Sequence, residues 1–223
     1  MLSREQALLL TEGARYLKVE LSTEALASFS TYIEELLRWA KTVDLVSRPE
    51  PETIIRKHVL DSLAVLTILP LHGRLLDLGS GAGFPGLPLA IAQPPLTVTL
   101  LESRRKRANF LKEVIRKTRL ANTQAYEGRA EDFISLDGWI STFDTVITRA
   151  TWNIKEFLTI ATPFVAKGGI IVTMKGPKAI EELKSLRKEL NISGITVKTE
   201  HTYTLPYRNE RRSIFVFETR SFT

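Results

Sequence analysis

The stretch LLDLGSGAGFPGLPLA, residues 75–90, constrains this chain more than any other. A strand-like apolar run enters a turn with glycines at 79, 81, 83 and 86 and leaves into a second apolar run, so a strand must feed a helix tightly here. Glycine is needed because such a turn takes positive φ angles and brings bare backbone against a ligand. Gly79, Gly81 and Gly83 read G-x-G-x-G, while Gly81, Gly83 and Gly86 also satisfy the dinucleotide fingerprint G-x-G-x-x-G, weak evidence when taken alone. Charge separates the two readings. Asp77 stands just before the glycines, near the mouth of the turn, where a carboxylate opposes a pyrophosphate and favours a cationic ligand. S-adenosylmethionine has no phosphate and carries a sulfonium and an ammonium, so the turn suits it better. Glu102, about one βα unit later at the end of LTVTLLE, can accept hydrogen bonds from a ribose diol under either reading.

The rest of the chain agrees with a strand-helix repeat. RLLDLG, LTVTLLE, FDTVITR and GGIIVTMKG are apolar strand-like runs alternating with amphipathic segments, and residues 123–127 predict a further short strand. ITVKTEHTYTL and RRSIFVFET, separated by a short turn, should pair antiparallel as the last hairpin of the sheet. The first seventy residues instead read as helices, with Leu26, Phe29, Ile33, Leu36, Leu37 and Ala40 at helical spacing. Ser3 with Gln6 fits a capping box, Ser22 an N-cap and Pro51 a first helical turn. The division expected is a helical extension over 1–72 and a main domain over 73–223.

Composition narrows the chemistry. With no cysteine among 223 residues, disulfides, thiolate metal sites and cysteine nucleophiles are excluded, and the three histidines lack metal-ligand spacing. No apolar run approaches the roughly 20 residues of a membrane span, and the N-terminus lacks a signal peptide pattern. A cytoplasmic, metal-free protein is expected. Between Glu102 and Arg119 eight basic residues face two acids, an excess equal to the +6 net charge of the whole chain. Such concentration beside a cofactor turn favours a polyanionic partner, RNA, over a merely solvated helix face. Lys175 and Arg212 add cations at a strand end and on the terminal hairpin, whereas Arg211 reads as a surface charge. His58 and Asp61, three apart on a helix, are expected to pair structurally. Trp39, Trp139 and Trp152 read as packing residues, although Trp152 follows Arg149 closely.

Taken with KHVLDSL, ESRRKRANFL, GRAEDF, ITRA, MKGP and RRSIFVF in this order, the glycine turn resembles the RsmG family, also called glucose-inhibited division protein B. The resemblance runs from about Asp44 to Phe217. It implies a bacterial S-adenosylmethionine-dependent methyltransferase of guanine N7 in 16S rRNA, acting on free RNA, an assembly intermediate or the finished subunit. It also implies that Gly79, Gly81 and Phe84 line the methionine end of the cofactor, that Glu102 takes the ribose, and that Ala130 and Glu131 flank the adenine. Arg149 would stand beside the cofactor, and Lys106 would face the substrate, with Arg107 next to it. Asp44 departs from the Asn this family often carries, which bears on local helix-end contacts. The fold expected is α/β: a class I methyltransferase with a Rossmann-like, mostly parallel seven-stranded sheet and an antiparallel last strand, as a monomer. Two absences agree with N7. There is no cysteine for pyrimidine C5 addition, and Thr148-Arg149-Ala150 replaces the Asn/Asp-Pro-Pro-aromatic signature of exocyclic amine methylation. Guanine N7 needs no base, and Arg149 or Lys175 could orient the purine through O6 or a phosphate. A dehydrogenase and a non-catalytic RNA-binding module are the rival readings.

Overall fold

A computed structural model describes residues 1–150 and 152–219, apart from the Asn191 side chain, and contains seven strands among them. These are β1 (Arg74–Leu78), β2 (Thr97–Glu102), β3 (Thr123–Glu127), β4 (Phe143–Thr148), β5 (Val165–Lys175), β6 (Ile195–Thr204) and β7 (Arg211–Thr219). They form one seven-stranded sheet in the order β3-β2-β1-β4-β5-β7-β6. The first five are parallel, and β7 runs antiparallel to both β5 and β6. The expected topology is therefore observed, terminal hairpin included. Strand order reverses at β1, which lies between β2 and β4, and the crevice beyond the carboxyl ends of these strands is where open α/β sheets bind ligands.

Side-chain alternation divides the core between the two faces of the sheet. Leu75, Val98, Leu100, Ile147 and Val172 point to one face, and Leu76, Leu101, Val146, Ile171 and Phe217 to the other. The first face is covered by α1 (Arg4–Tyr16), α2 (Thr23–Trp39), α3 (Pro51–Ile54), α4 (Leu60–Leu63), α5 (Gly86–Ala92) and α6 (Arg105–Thr118). The second carries α7 (Ala130–Phe133), α8 (Ile154–Ala161) and α9 (Ala179–Ile192). The Ser3–Gln6 capping box, the Ser22 N-cap and Pro51 at the start of α3 all form. Leu10, Phe29, Ile33, Leu36 and Leu63 from the first seventy residues share one buried cluster with the sheet, so these helices complete the core. Between α3 and α4 the helix widens into a π turn, Ile55–Val59, a feature without an obvious sequence signal.

The tightest approach lies where β1 meets α5. A Cβ added to Gly86 would sit 2.3 Å from Leu100 Cδ2 and 2.7 Å from Asp77 Oδ2. Gly86→Ala should therefore lower stability by about 1–3 kcal/mol, as overpacking of a closed core does, and a urea midpoint equal to that of the parent would contradict this packing.

Candidate active site

The glycine turn is held from three sides. The Gly79 and Ser80 N–H groups donate to the Leu101 carbonyl at 2.9 and 3.1 Å, which ties the turn to the end of β2. Gly81 N–H donates to Glu102 Oε2 at 2.8 Å, and the other carboxylate oxygen accepts from Arg104 N–H at 2.8 Å. From α2, the Tyr32 hydroxyl donates to the Ala82 carbonyl at 2.6 Å, so an N-terminal helix helps to shape the turn. Gly79 and Gly81 have φ of +69° and +56°, as a turn that only glycine adopts freely requires. A Cβ on Gly79 would come within 3.1 Å of Trp152, whereas one on Gly81 would make only ordinary contacts, at 3.9 Å from Arg107 Nη1 and from the Gly79 carbonyl oxygen.

One sequence expectation needs correction here. Asp77 is not at the mouth of the turn. It is wholly buried, and its Oδ2 accepts from Gly86 N–H at 2.9 Å at the start of α5. Burial pushes its carboxyl up to about 7, against the hydrogen bonds from Gly86 and Ser80. A ligand would feel Asp77 only through the backbone of the turn. Phe84, expected at the methionine end of the cofactor, is nearly buried. The ring stacks on His58 at 4.9 Å, lies 5.6 Å from Tyr32 and carries the Arg149 guanidinium 5.3 Å from its centroid.

Two cavities open beside the turn. One of about 270 Å³ is lined by Gly79, Ser103, Gly128, Ala130, Glu131 and Trp152, and brings together residues from the ends of β1, β2 and β3. Ala130 and Glu131 thus face the same space as Gly79, and Leu101 and Ser103, the neighbours of Glu102, line it too. The other, of about 650 Å³, lies at the ends of β4 and β5 and is lined by Arg149, Trp152, Lys175, Pro177 and Arg212 with Asp61. Trp152 belongs to both, a role its reading as a packing residue did not include.

The larger cavity is organised around Arg149. Its Nε faces Asp61 Oδ2 at 3.3 Å, Nη1 donates to the His58 carbonyl at 3.3 Å, and Nη2 meets His58 Nδ1. His58 and Asp61 therefore grip Arg149 between them and make no bond to each other. An arginine can only donate, so Nδ1 accepts and the imidazole proton resides on Nε2. The π turn contributes directly, because the His58 carbonyl accepts from both Ser62 Oγ and Arg149. Thr148 at the end of β4 donates to the Leu78 carbonyl at 2.8 Å and accepts from Ala150 N–H at 3.0 Å, which fixes the strand end that carries Arg149. No sequence motif pointed to Tyr32 or Tyr203, whose partners Ala82 and Asp61 lie far away along the chain.

The other expected cations divide. Lys175 turns its ammonium onto the carbonyls of Ala150 and Trp152 and so clamps the loop after β4, and burial lowers its pKa. Arg107 bonds the Asp44 carbonyl at 2.6 and 3.0 Å and the Asp44 carboxylate at 3.3 Å, so it anchors the chain after α2 and is not free for RNA. Arg116 and Lys117, at the far end of α6, are neutralised by Glu113 and by Glu35 of α2. The charge of α6 is therefore concentrated at its start, where Arg104, Arg105 and Lys106 are exposed. Among the described residues no cluster of three or more His, Asp or Glu side chains is placed to hold a metal.

Burial, reinforced by the charge of Arg149, holds the His58 pKa down from 6.5 to about 2. The folded ring stays neutral while the unfolded one protonates below 6.5, so this group's contribution to stability is present above that pH and is lost as pH falls. The His58 ring signal in NMR should keep its neutral shift from about pH 8 to about pH 5, while the destabilisation from this group approaches about 1.4 kcal/mol per pH unit in acid. A midpoint near 6 for that signal would contradict the Arg149 contact.

Comparison with known proteins agrees with this geometry. The family model "GidB: rRNA small subunit methyltransferase G" matches residues 25–212. A relative named ribosomal RNA small subunit methyltransferase G from Desulfitobacterium hafniense (strain Y51) is 39% identical over 100% of this chain and 93% of its own length. One of the same name from Desulforamulus reducens is 36% identical over 94% of this chain and 88% of its own. Among solved structures, the O-methyltransferase TomG from Streptomyces achromogenes in complex with SAM has the same fold, with a TM-score of 0.60 at 18% identity over 99% of this chain and 100% of that one. P. horikoshii TYW2 in complex with MeSAdo is similar over 72% of this chain and 61% of its own, with a TM-score of 0.56 at 17% identity. On a family match that covers most of its length and on full-length relatives of this identity, the chain belongs to the rRNA small subunit methyltransferase G family.

Proposed function

We propose that this chain transfers a methyl group from S-adenosylmethionine to N7 of a guanine in 16S rRNA. By family it is a methyltransferase of small-subunit ribosomal RNA. The observation that carries the finer reading is the adjacency of two cavities, one against the glycine turn and one lined by cations, which share Trp152 as a wall. The first fits the methyl donor. Gly79 lines it with bare backbone, Glu102 offers a carboxylate for a ribose diol, and Ala130 with Glu131 supplies the far wall. Bound there, S-adenosylmethionine supplies an electrophilic methyl: guanine N7 forms the new C–N bond as the S–C bond breaks, and the positive charge passes from sulfur to the purine.

The residues of the second cavity suit this reaction because it has no proton to remove. Arg149 cannot act as a base, and neutral His58 has its only ring acceptor occupied by Arg149. Lys175 is bound to backbone carbonyls. Their work in this reading is positioning: Arg149 and Lys175 fix the loop after β4, and with it the wall between donor and acceptor, where an error of about 1 Å can cost a hundredfold in rate.

The start of α6 supports an RNA acceptor. Cations at a helix N-terminus oppose the macrodipole, and no acid stands in the first turn to offset Arg104, Arg105, Lys106 and Arg107. Arg107 is compensated by Asp44, and the rest is a local cost to stability that an incoming phosphate removes. In this reading the enzyme works as a cytoplasmic monomer, in keeping with the absence, among the described residues, of a helix long and apolar enough to cross a membrane.

The reaction is tested by nucleoside analysis of 16S rRNA treated with the enzyme and S-adenosylmethionine. 7-Methylguanosine is expected, and a transcript with 7-deazaguanine at the target should accept nothing, since carbon replaces the nucleophilic nitrogen. Any other methylated nucleoside, or methyl incorporation into the analogue, would overturn N7. Separately, Lys106→Ala should flatten the salt dependence of RNA binding by about 0.7 to 0.9, the slope carried by one neutralised phosphate, while Arg107→Ala should chiefly lower the melting temperature by freeing Asp44. Equal salt slopes for Lys106→Ala and parent would remove this helix from the RNA interface.

A further inference from the structure

The larger cavity contains a cation whose donors are mostly unspent. Arg149 makes contacts through all three of its nitrogens, and the Lys175 ammonium is taken by two carbonyls. Arg212 differs. Its Nη2 lies 3.5 Å from Glu210 Oε2, its Nε stands 3.9 Å from Asp61 Oδ1, and that buried Nε has no hydrogen-bond partner. Asp61 is a nearly buried carboxylate that would ordinarily draw such a guanidinium into a short ion pair. At 3.9 Å it does not, and Tyr203 is its competitor for Oδ1: reaching from β6, it donates its hydroxyl to that oxygen at 2.6 Å, while Arg149 faces Oδ2. Burial and the Asp61 charge raise the Tyr203 pKa, which keeps the phenol a donor.

We propose that Tyr203 is a positioning residue: by occupying Asp61 it keeps the Arg212 guanidinium available to donate to O6 of the acceptor guanine, and so to select guanine over adenine. This rests on the guanine acceptor proposed above. O6 is the neighbour of N7 on the major-groove edge, and guanine offers two acceptors there where adenine offers N7 beside an amino donor. A guanidinium has no acceptor for that amine, so adenine would leave two donors face to face. A base suits Arg212 better than a phosphate does, because its side chain is only 23% exposed and the cavity it lines is also walled by Trp152, Met174 and Pro177.

The test uses two transcripts of the target segment, one with guanine and one with 2-aminopurine at the acceptor position. 2-Aminopurine keeps N7 and the 2-amino group and carries hydrogen in place of O6. Affinities are measured with S-adenosylhomocysteine in excess, so that turnover is not needed. The parent should prefer guanine by about tenfold or more, the value of a hydrogen bond to a charged donor. Tyr203→Phe, which preserves the ring, should bring the preference close to unity by weakening the guanine transcript alone, with cofactor affinity unchanged. Arg212→Ala should erase the same preference, and it decides the role of Arg212 without touching Tyr203. Equal weakening of both transcripts by Tyr203→Phe would make the tyrosine merely structural and overturn the proposal. Equal weakening by Arg212→Ala with a flatter salt slope would assign Arg212 to a phosphate, and a parent indifferent to O6 would overturn it outright. Failure of the underlying reading is distinguishable, since the parent would then form no 7-methylguanosine on the guanine transcript.

Discussion

The bond between Asp77 and the Gly86 amide is the constraint on which the site depends. It joins the last turn of a parallel strand to the first turn of the helix that follows, across a gap too narrow for a Cβ at Gly86. The carboxyl is costly to bury, and its Oδ1 has no partner. What that cost secures is the path of the intervening backbone. With both ends of the turn fixed, the Gly81 amide points at Glu102 and the Ala82 carbonyl at Tyr32, so β1, β2 and α2 converge on five residues. A binding loop held in this way is preorganised, and little of a ligand's interaction energy is lost to ordering it.

Much of the fold was legible because its signals are local. The apolar runs of β1, β2, β4 and β5, the glycine turn, the caps at Ser3 and Ser22 and the terminal hairpin each depend on neighbours a few residues away. The cavity walls at Gly79, Ala130 and Glu131 followed from motif positions, and they do face one space. Side-chain partners were not legible. Asp77 reads as a carboxylate at a mouth until the start of α5 is seen to cover it. Arg107 reads as an RNA contact with no hint that it bonds Asp44, 63 residues away. The +6 excess counted over one segment ignores Glu35 on a different helix, and Tyr203 meets Asp61 across 142 residues. A single sequence carries no record of contacts at such separations, and the π turn that releases the His58 carbonyl has no compositional mark of its own.

Stability and binding pull in opposite directions along α6. At its C-terminal end, Arg116 and Lys117 suit the macrodipole and are paired besides, as a stability-driven sequence would arrange them. At its N-terminal end the same charge is unfavourable and left exposed. Violations of a local rule collect at functional sites, and this one lies next to Glu102, the residue that anchors the turn. The helix is thus structural over its last two turns and suited to an anion over its first.

Trp152 closes one side of each cavity, within 3.1 Å of where a Cβ on Gly79 would stand. Its ring rests on Phe157 with planes 11° apart, and the backbone carbonyl of the same residue is clamped by Lys175. One indole therefore has a single orientation to offer two ligands. Whatever fixes it for the first sets the wall for the second, and linkage requires the coupling free energy to be the same in either order. In the proposed reading, one indole is then a common wall for donor and acceptor.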